Sequence, residues 1–175
     1  MRFYGFGNYY LSSLQQGLQS AHVIGDLFVK YDMMDLRPIS QPEHISQVEK
    51  FETLFDWAKN HKTMVLLNGG NSADLDDLHT FLSNPANPYP FTKFHEDQQS
   101  LCGALTYVGI VLPEKIYANA ALLRNKQVEV VRMPGKKTTV SMRFPFPRPL
   151  DTNWIEVSEW EIELCERLNW YGLAK

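Results

Sequence analysis

Thr63-Met-Val-Leu-Leu-Asn68, closed by Gly69-Gly70 and followed by Asn71-Ser72-Ala73-Asp74-Leu75, is the stretch on which the fold turns. An apolar run of this length ended by paired glycines reads as a strand buried on both faces. Asn71 or Ser72 then caps a helix in which Ala73, Leu75, Leu78 and Leu82 point inward, with Asp74, Asp76 and Asp77 near the positive end of its dipole. A strand passing directly into a helix is the repeating step of α/β proteins. The same step occurs upstream. Residues 2–10 are short and aromatic-rich, as a strand requires, and Ser12 or Ser13 then caps a helix carrying Leu14, Leu18, Ala21, Val23, Leu27 and Phe28 at roughly helical spacing. Pro42-Glu43 opens a further helix that reaches Lys62. Downstream, residues 89–94 and 104–111 read as strands, and Pro113-Glu114 starts a helix running through Leu123. The alternation implies a mixed or mostly parallel sheet with helices on its faces.

Beyond Arg124 the composition changes. Residues 127–133 and 138–144 are β-prone and flank Pro134-Gly135, so they pair as an expected hairpin, and residues 144–149 form a proline-rich connector. An acidic helix is expected from Ser158 to Leu168, with Trp160, Leu164 and Leu168 on one face.

Bulk properties set further bounds. With 175 residues, 44% of them hydrophobic and 21% charged, the chain has ordinary globular composition and enough length for one core. The two cysteines, Cys102 and Cys165, lack CxxC or CxxH spacing and suggest no disulfide framework or zinc site. His44, His61, His79 and His95 are scattered without ligand spacing, so neither a metal nor a cofactor is expected. No basic and apolar leader regions and no membrane-length apolar run are present, which makes the cytoplasm the expected location and a membrane an unexpected partner. The net charge of −3 argues against wholesale capture of nucleic acid, but the balance differs by segment. From Arg124 to Arg148 seven basic residues face one acid, Glu129, with Phe144 and Phe146 interleaved. That combination suits gripping a phosphate backbone and stacking a base, and Arg132, Lys136, Lys137 and Arg143 are its candidate contacts. The alternative is that the acidic C-terminal helix folds back and neutralises it.

Two blocks carry a family resemblance and together cover about half the chain. Gln19-Ser20-Ala21-His22, just after the first strand, resembles the Gln-x-x-His-Ala segment of the archaeal and eukaryotic type of peptidyl-tRNA hydrolase. The order and lengths of the elements from Thr63 to Leu123 are similar to the β-α-β-β-α portion of that family, including Thr106-Tyr107-Val108-Gly109-Ile110 before the last helix. The resemblance implies a four-stranded mixed sheet with helices on both sides. It also implies cleavage of the ester that joins a peptide to the terminal ribose of tRNA. Two departures mark a remote or repurposed member. Ser13, Leu14 and Gln15 stand where the family carries Lys-Gly-Lys, and residues 96–100 match its Asp-Ala-Gly-x-Thr loop only loosely.

Ester hydrolysis needs a group that activates water and donors for the developing oxyanion. His22 is the expected proton carrier on the strength of the resemblance, the alternative being a packed residue between Leu18 and Leu27. Asp97, with Glu96 beside it, ends a strand where carboxylates of α/β sheets face a ligand crevice; solvated loop acids are the other reading. Gln15 and Gln19, one turn apart, are expected on one side of the helix as binding groups that carry no proton. Thr106 and Ser100 could supply hydroxyls or serve structure alone. Residues 68–72 resemble an anion cradle in outline, but three aspartates follow and a capped turn is preferred. The resulting expectation is one domain over 1–175, with a hydrolase-like core at 1–124 and an extension of hairpin and helix at 125–175. An acylated RNA such as peptidyl-tRNA is the substrate that the resemblance implies. The alternatives are an inactive module of the same fold that binds a nucleotide, an RNA end or a protein, and an interaction protein anchored by Trp154, Trp160 and Trp170.

Overall fold

Aromatic residues separated by glycines, Phe3, Tyr4, Gly5, Phe6 and Gly7, form the first strand, β1 (Arg2–Gly7), in a computed structural model that describes residues 1–32, 42–132, 139–143 and 154–173. Helix α1 (Ser13–Lys30) follows, then α2 (Pro42–Asp56), which widens into a π-helical turn at Trp57–His61. Next come β2 (Met64–Asn68), α3 (Ser72–Leu82), β3 (Phe91–His95), the single turn α4 (Gln98–Leu101) and β4 (Leu105–Leu112). These strands form one mixed sheet in the order β2-β1-β4-β3, with β1 parallel to β2 and antiparallel to β4. The α/β class and the four-stranded mixed sheet are as expected.

The chain divides into two compact units, Met1–Leu112 with Gly172–Lys175, and Pro113–Tyr171. The division falls at Pro113, so the helix after β4 belongs with the C-terminal elements and not with a core ending at residue 124. In the second unit α5 (Glu114–Arg124) lies against α6 (Glu159–Trp170), tied by Lys115–Glu161 at 2.8 Å and by Asn169 donating to the Ala120 carbonyl at 2.9 Å. The expected hairpin is present as β5 (Glu129–Arg132) and β6 (Thr139–Arg143), and a third antiparallel strand, β7 (Trp154–Ser158), extends it. Val128, Met142, Val157 and Ile162 form the core of this unit.

Two expectations need correction in the first unit. β2 is an edge strand with Met64 exposed, because a continuous apolar run does not distinguish an edge position from a central one. Part of that edge is met by the chain end, where the Asn68 amide donates to the Gly172 carbonyl at 2.9 Å. The second correction concerns α1. Leu14 and Leu18 are 74% and 54% exposed, whereas Gln16, Gln19, Ser20, Val23 and Leu27 are buried. Two stripes of helical spacing overlap on this helix, and the one with the glutamines lies against the sheet. Glycines admit it. A Cβ on Gly7 would stand 1.8 Å from Gln16 Oε1, and one on Gly109 would stand 2.5 Å from Val23 Cγ1.

Candidate functional site

The buried polar stripe of α1 runs along the carboxyl end of β1 toward the end of β3. Gln16 donates its amide to the Asn8 carbonyl at 3.3 Å, filling the space above Gly7. One turn on, Gln19 donates to Glu96 Oε1 in a short hydrogen bond. One turn further, the exposed His22 ring stacks on Phe94 of β3, with centroids 4.7 Å apart and planes 8° from parallel. Gln19 and Glu96, and the His22 imidazole two residues up β3 from Glu96, thus share one rim.

A bulge shapes that rim. Phe94 pairs with Tyr107 but His95 with Leu105, which leaves Thr106 as the extra residue of β4. Glu96 then donates its amide to the Ala104 carbonyl at 3.0 Å, so the chain stays pinned as it leaves the sheet. Asp97 is exposed, and its carboxylate accepts from the Gln99 amide at 2.8 Å as a cap of the α4 turn. Glu96 is held by Gln19 of α1.

Five buried polar atoms have no hydrogen-bond partner among the described residues: Asn8 Oδ1, Gln16 Oε1, Gln19 Oε1, Thr106 Oγ1 and the Tyr107 hydroxyl, the last lying over Gly5 in the core. Asn8 donates its side-chain amide to Ser72 Oγ at 3.0 Å, and its backbone amide to the Thr106 carbonyl at 2.9 Å. Burial holds the Tyr107 phenol well above its usual range. Tyr10, in the β1–α1 loop, is also raised, first by desolvation, then by the charge of Glu96 and by Tyr9.

The other expected site residues are occupied differently. The Gln15 side chain is not joined to Gln19 and Glu96; it accepts from the Ser12 amide and hydroxyl, both at 2.9 Å, in the capping box of α1. Thr106 is fully buried and its hydroxyl faces no solvent. Arg143 lies 4.0 Å from Glu129, its partner across the β5–β6 pair. Lys136 and Lys137 lie outside the described residues, as do Phe144, Phe146, Arg148 and the side chains of Arg132, Ser100 and Trp154. Trp160 is a core residue and Trp170 is exposed. The Asn68–Ser72 turn is the capped turn expected: Asn71 accepts from the Ala73 and Asp74 amides, and the Asp74 side chain accepts from the Asn71 amide. Among the described residues no three His, Cys, Asp or Glu side chains converge as a metal ion requires, and no helix is long and apolar enough to cross a membrane.

Asn8, Tyr10 and Phe94 were not singled out in the sequence, whereas Gln16 stands there with Gln15 and Gln19 as a binding group on the first turns of α1. The signal that Gln16 and Gln19 face the sheet is their spacing with Val23 and Leu27, an alternative stripe whose first members are polar. No family model matches the chain, and no curated protein matches it either.

Proposed function

We propose that this protein is a divergent peptidyl-tRNA hydrolase-like enzyme of the cytoplasm that cleaves the ester of an acylated RNA. The observation that carries the reading is the alignment of Gln19 with Glu96 and of His22 with Phe94 along one side of β3. It supplies a carboxylate and an imidazole on one rim, the pair that water activation and protonation of a leaving ribose oxygen call for. In this scheme the Glu96 carboxylate, oriented by the Gln19 amide, takes a proton from the attacking water. His22, held flat against Phe94, returns one to the departing oxygen. Asp97 shapes the loop through its cap and takes no part in proton transfer. The roles use the first compact unit alone.

A second reading, an inactive module that binds the same RNA end, is favoured by one observation. Gln15, at the position of a family lysine, is tied into the helix cap and offers the oxyanion no cation. Incubating the purified protein with peptidyl-tRNA and following release of free tRNA separates the two. The enzyme reading expects turnover that falls roughly 100-fold or more in His22→Ala and Glu96→Gln and stays near parental in Asp97→Asn. Absence of release by the parent protein, with binding retained, leaves the module.

A further inference from the structure

Helix α1 and strand β3 touch at two points, and only the first belongs to the scheme above. There His22 stacks on Phe94. At the second, eight residues on, the Lys30 ammonium stands 4.1 Å from the centre of the Phe91 ring and donates to the Phe91 carbonyl at 2.9 Å. Eight helical residues span about 12 Å and three strand residues about 10 Å, so both contacts lie on one continuous seam. Tyr31 completes the second: its hydroxyl accepts from the Phe91 amide at 3.2 Å and donates to the Phe91 carbonyl at 3.1 Å.

Cations gather at this end of the seam. The Gln47 side-chain amide donates to the Lys30 carbonyl at 3.5 Å, which brings Lys50, one turn further along α2, to the same side. Lys93, two residues beyond Phe91 and so on the same face of β3, pairs with Asp76 at 3.5 Å, an exposed contact of the kind that contributes little. Lys30 itself makes no ion pair among the described residues, Asp26 one turn before it included. Burial first, and then the charge of Lys50, hold its pKa below the usual lysine range. The backbone adds a donor. β3 is an edge strand, and Phe91 turns its amide and carbonyl toward Tyr31 and Lys30, away from β4. In an antiparallel ladder Lys93 then turns its amide to the same open edge.

An ammonium fixed by neutral groups, a second lysine beside it and an outward amide together suit a phosphate, which accepts charge-assisted hydrogen bonds from each. We propose that Lys30 and Lys93 hold a backbone phosphate of the RNA at the open edge of β3, upstream of the ester at the rim. The choice of an RNA phosphate rests on the reading of the rim as the seat of an RNA ester. A terminal ribose at His22 and Glu96 is bonded to its own upstream phosphates, and the seam leads from that point to Lys30 over about 10–12 Å. The first unit thereby gains a grip on the backbone that Gln15, tied into the helix cap, does not offer.

A fluorescently labelled single-stranded oligoribonucleotide, titrated by anisotropy across a salt series, tests this without any ester chemistry. Each phosphate contact on a single strand contributes about 0.7 to the slope of log affinity against log salt, so Lys30→Gln and Lys93→Gln each flatten the slope by about that amount and weaken binding by about threefold or more at low salt. Lys30→Arg keeps the charge and stays within about twofold of the parent, as does Lys59→Gln on the turn after α2. Lys93→Gln breaks no contact with α1, so it decides the matter if Lys30→Gln loosens that helix. Slopes that stay parental in both glutamine variants overturn the phosphate site and leave the hydrolase reading intact. Flattened slopes with no release from peptidyl-tRNA support the site and overturn the hydrolase alone. No RNA binding by the parent overturns the proposal; inorganic phosphate that then raises the melting temperature of the parent, but not of Lys30→Gln, reassigns the edge to a free phosphate.

Discussion

Helices α1 and α3 pack on opposite faces of the same sheet and both open with a capping box, yet they are built to contrary rules. In α3 the buried residues are Leu75, Leu78 and Leu82, and the acids face outward. In α1 the first two turns bury Gln16, Gln19 and Ser20 and expose Leu14 and Leu18; only from Val23 onward does an apolar face meet the sheet. Burying amides while exposing leucines forgoes stability, since a buried polar group contributes only what its hydrogen bonds return. The inverted half of α1 is the half that reaches Glu96. One helix buries apolar side chains along its whole length, whereas the other does so only in its second half.

Perturbations that treat the two helices alike sharpen the contrast. The largest effect is expected at Leu78, fully buried on α3: Leu78→Ala lowers unfolding stability by about 2–5 kcal/mol in a denaturant titration. Next is Gly109→Ala, which drives a methyl to 2.5 Å from Val23 Cγ1 and within 2.8 Å of the Phe3 ring, levering α1 from the sheet. A loss of about 1–3 kcal/mol is expected, measured the same way.

A smaller effect belongs to pH. His79, in the last turn of α3, lies 5.7 Å from the Phe91 ring. Burial, with the charges of Lys93 and Lys30 adding to it, lowers its pKa to about 4. A histidine whose folded pKa lies below its unfolded value binds its proton more readily when unfolded. Its contribution is therefore complete above about pH 6.5 and is lost as pH falls toward 4, by on the order of 1–2 kcal/mol once partial solvent screening is allowed for. His79→Gln flattens that stretch of the stability profile. The smallest change is expected at Leu18→Ser, within about 0.5 kcal/mol of the parent, because the side chain already meets solvent. A loss at Leu18 to match that at Leu78 would erase the distinction between the helices.

The same contrast explains what could be read in advance. Leu75, Leu78 and Leu82 carry one unambiguous stripe, and the capped turn before them, the strands on either side and the hairpin at residues 129–143 follow from local patterns. The orientation of α1 does not, because Leu14 and Leu18 form an apolar stripe as good as that of Val23 and Leu27. The choice between them is made by Gly7 and Gly109, residues distant in sequence whose missing side chains admit the helix at a particular rotation. Within the site, His22 and Gln19 were visible as a motif. That Gln19 would bond Glu96 was not, since it depends on the bulge at Thr106 and on the α4 turn engaging Asp97. The edge position of β2 was hidden for a related reason, for strand order is a property of the whole sheet.

The account stands most directly on Gln19 and Glu96 acting as one unit, and a double-mutant cycle in kcat/KM for peptidyl-tRNA measures that. Gln19→Met and Glu96→Gln are each expected to lose about 30-fold or more, with the double variant no worse than the poorer single. Losses that multiply in the double variant, or a single variant that keeps parental activity, would contradict it.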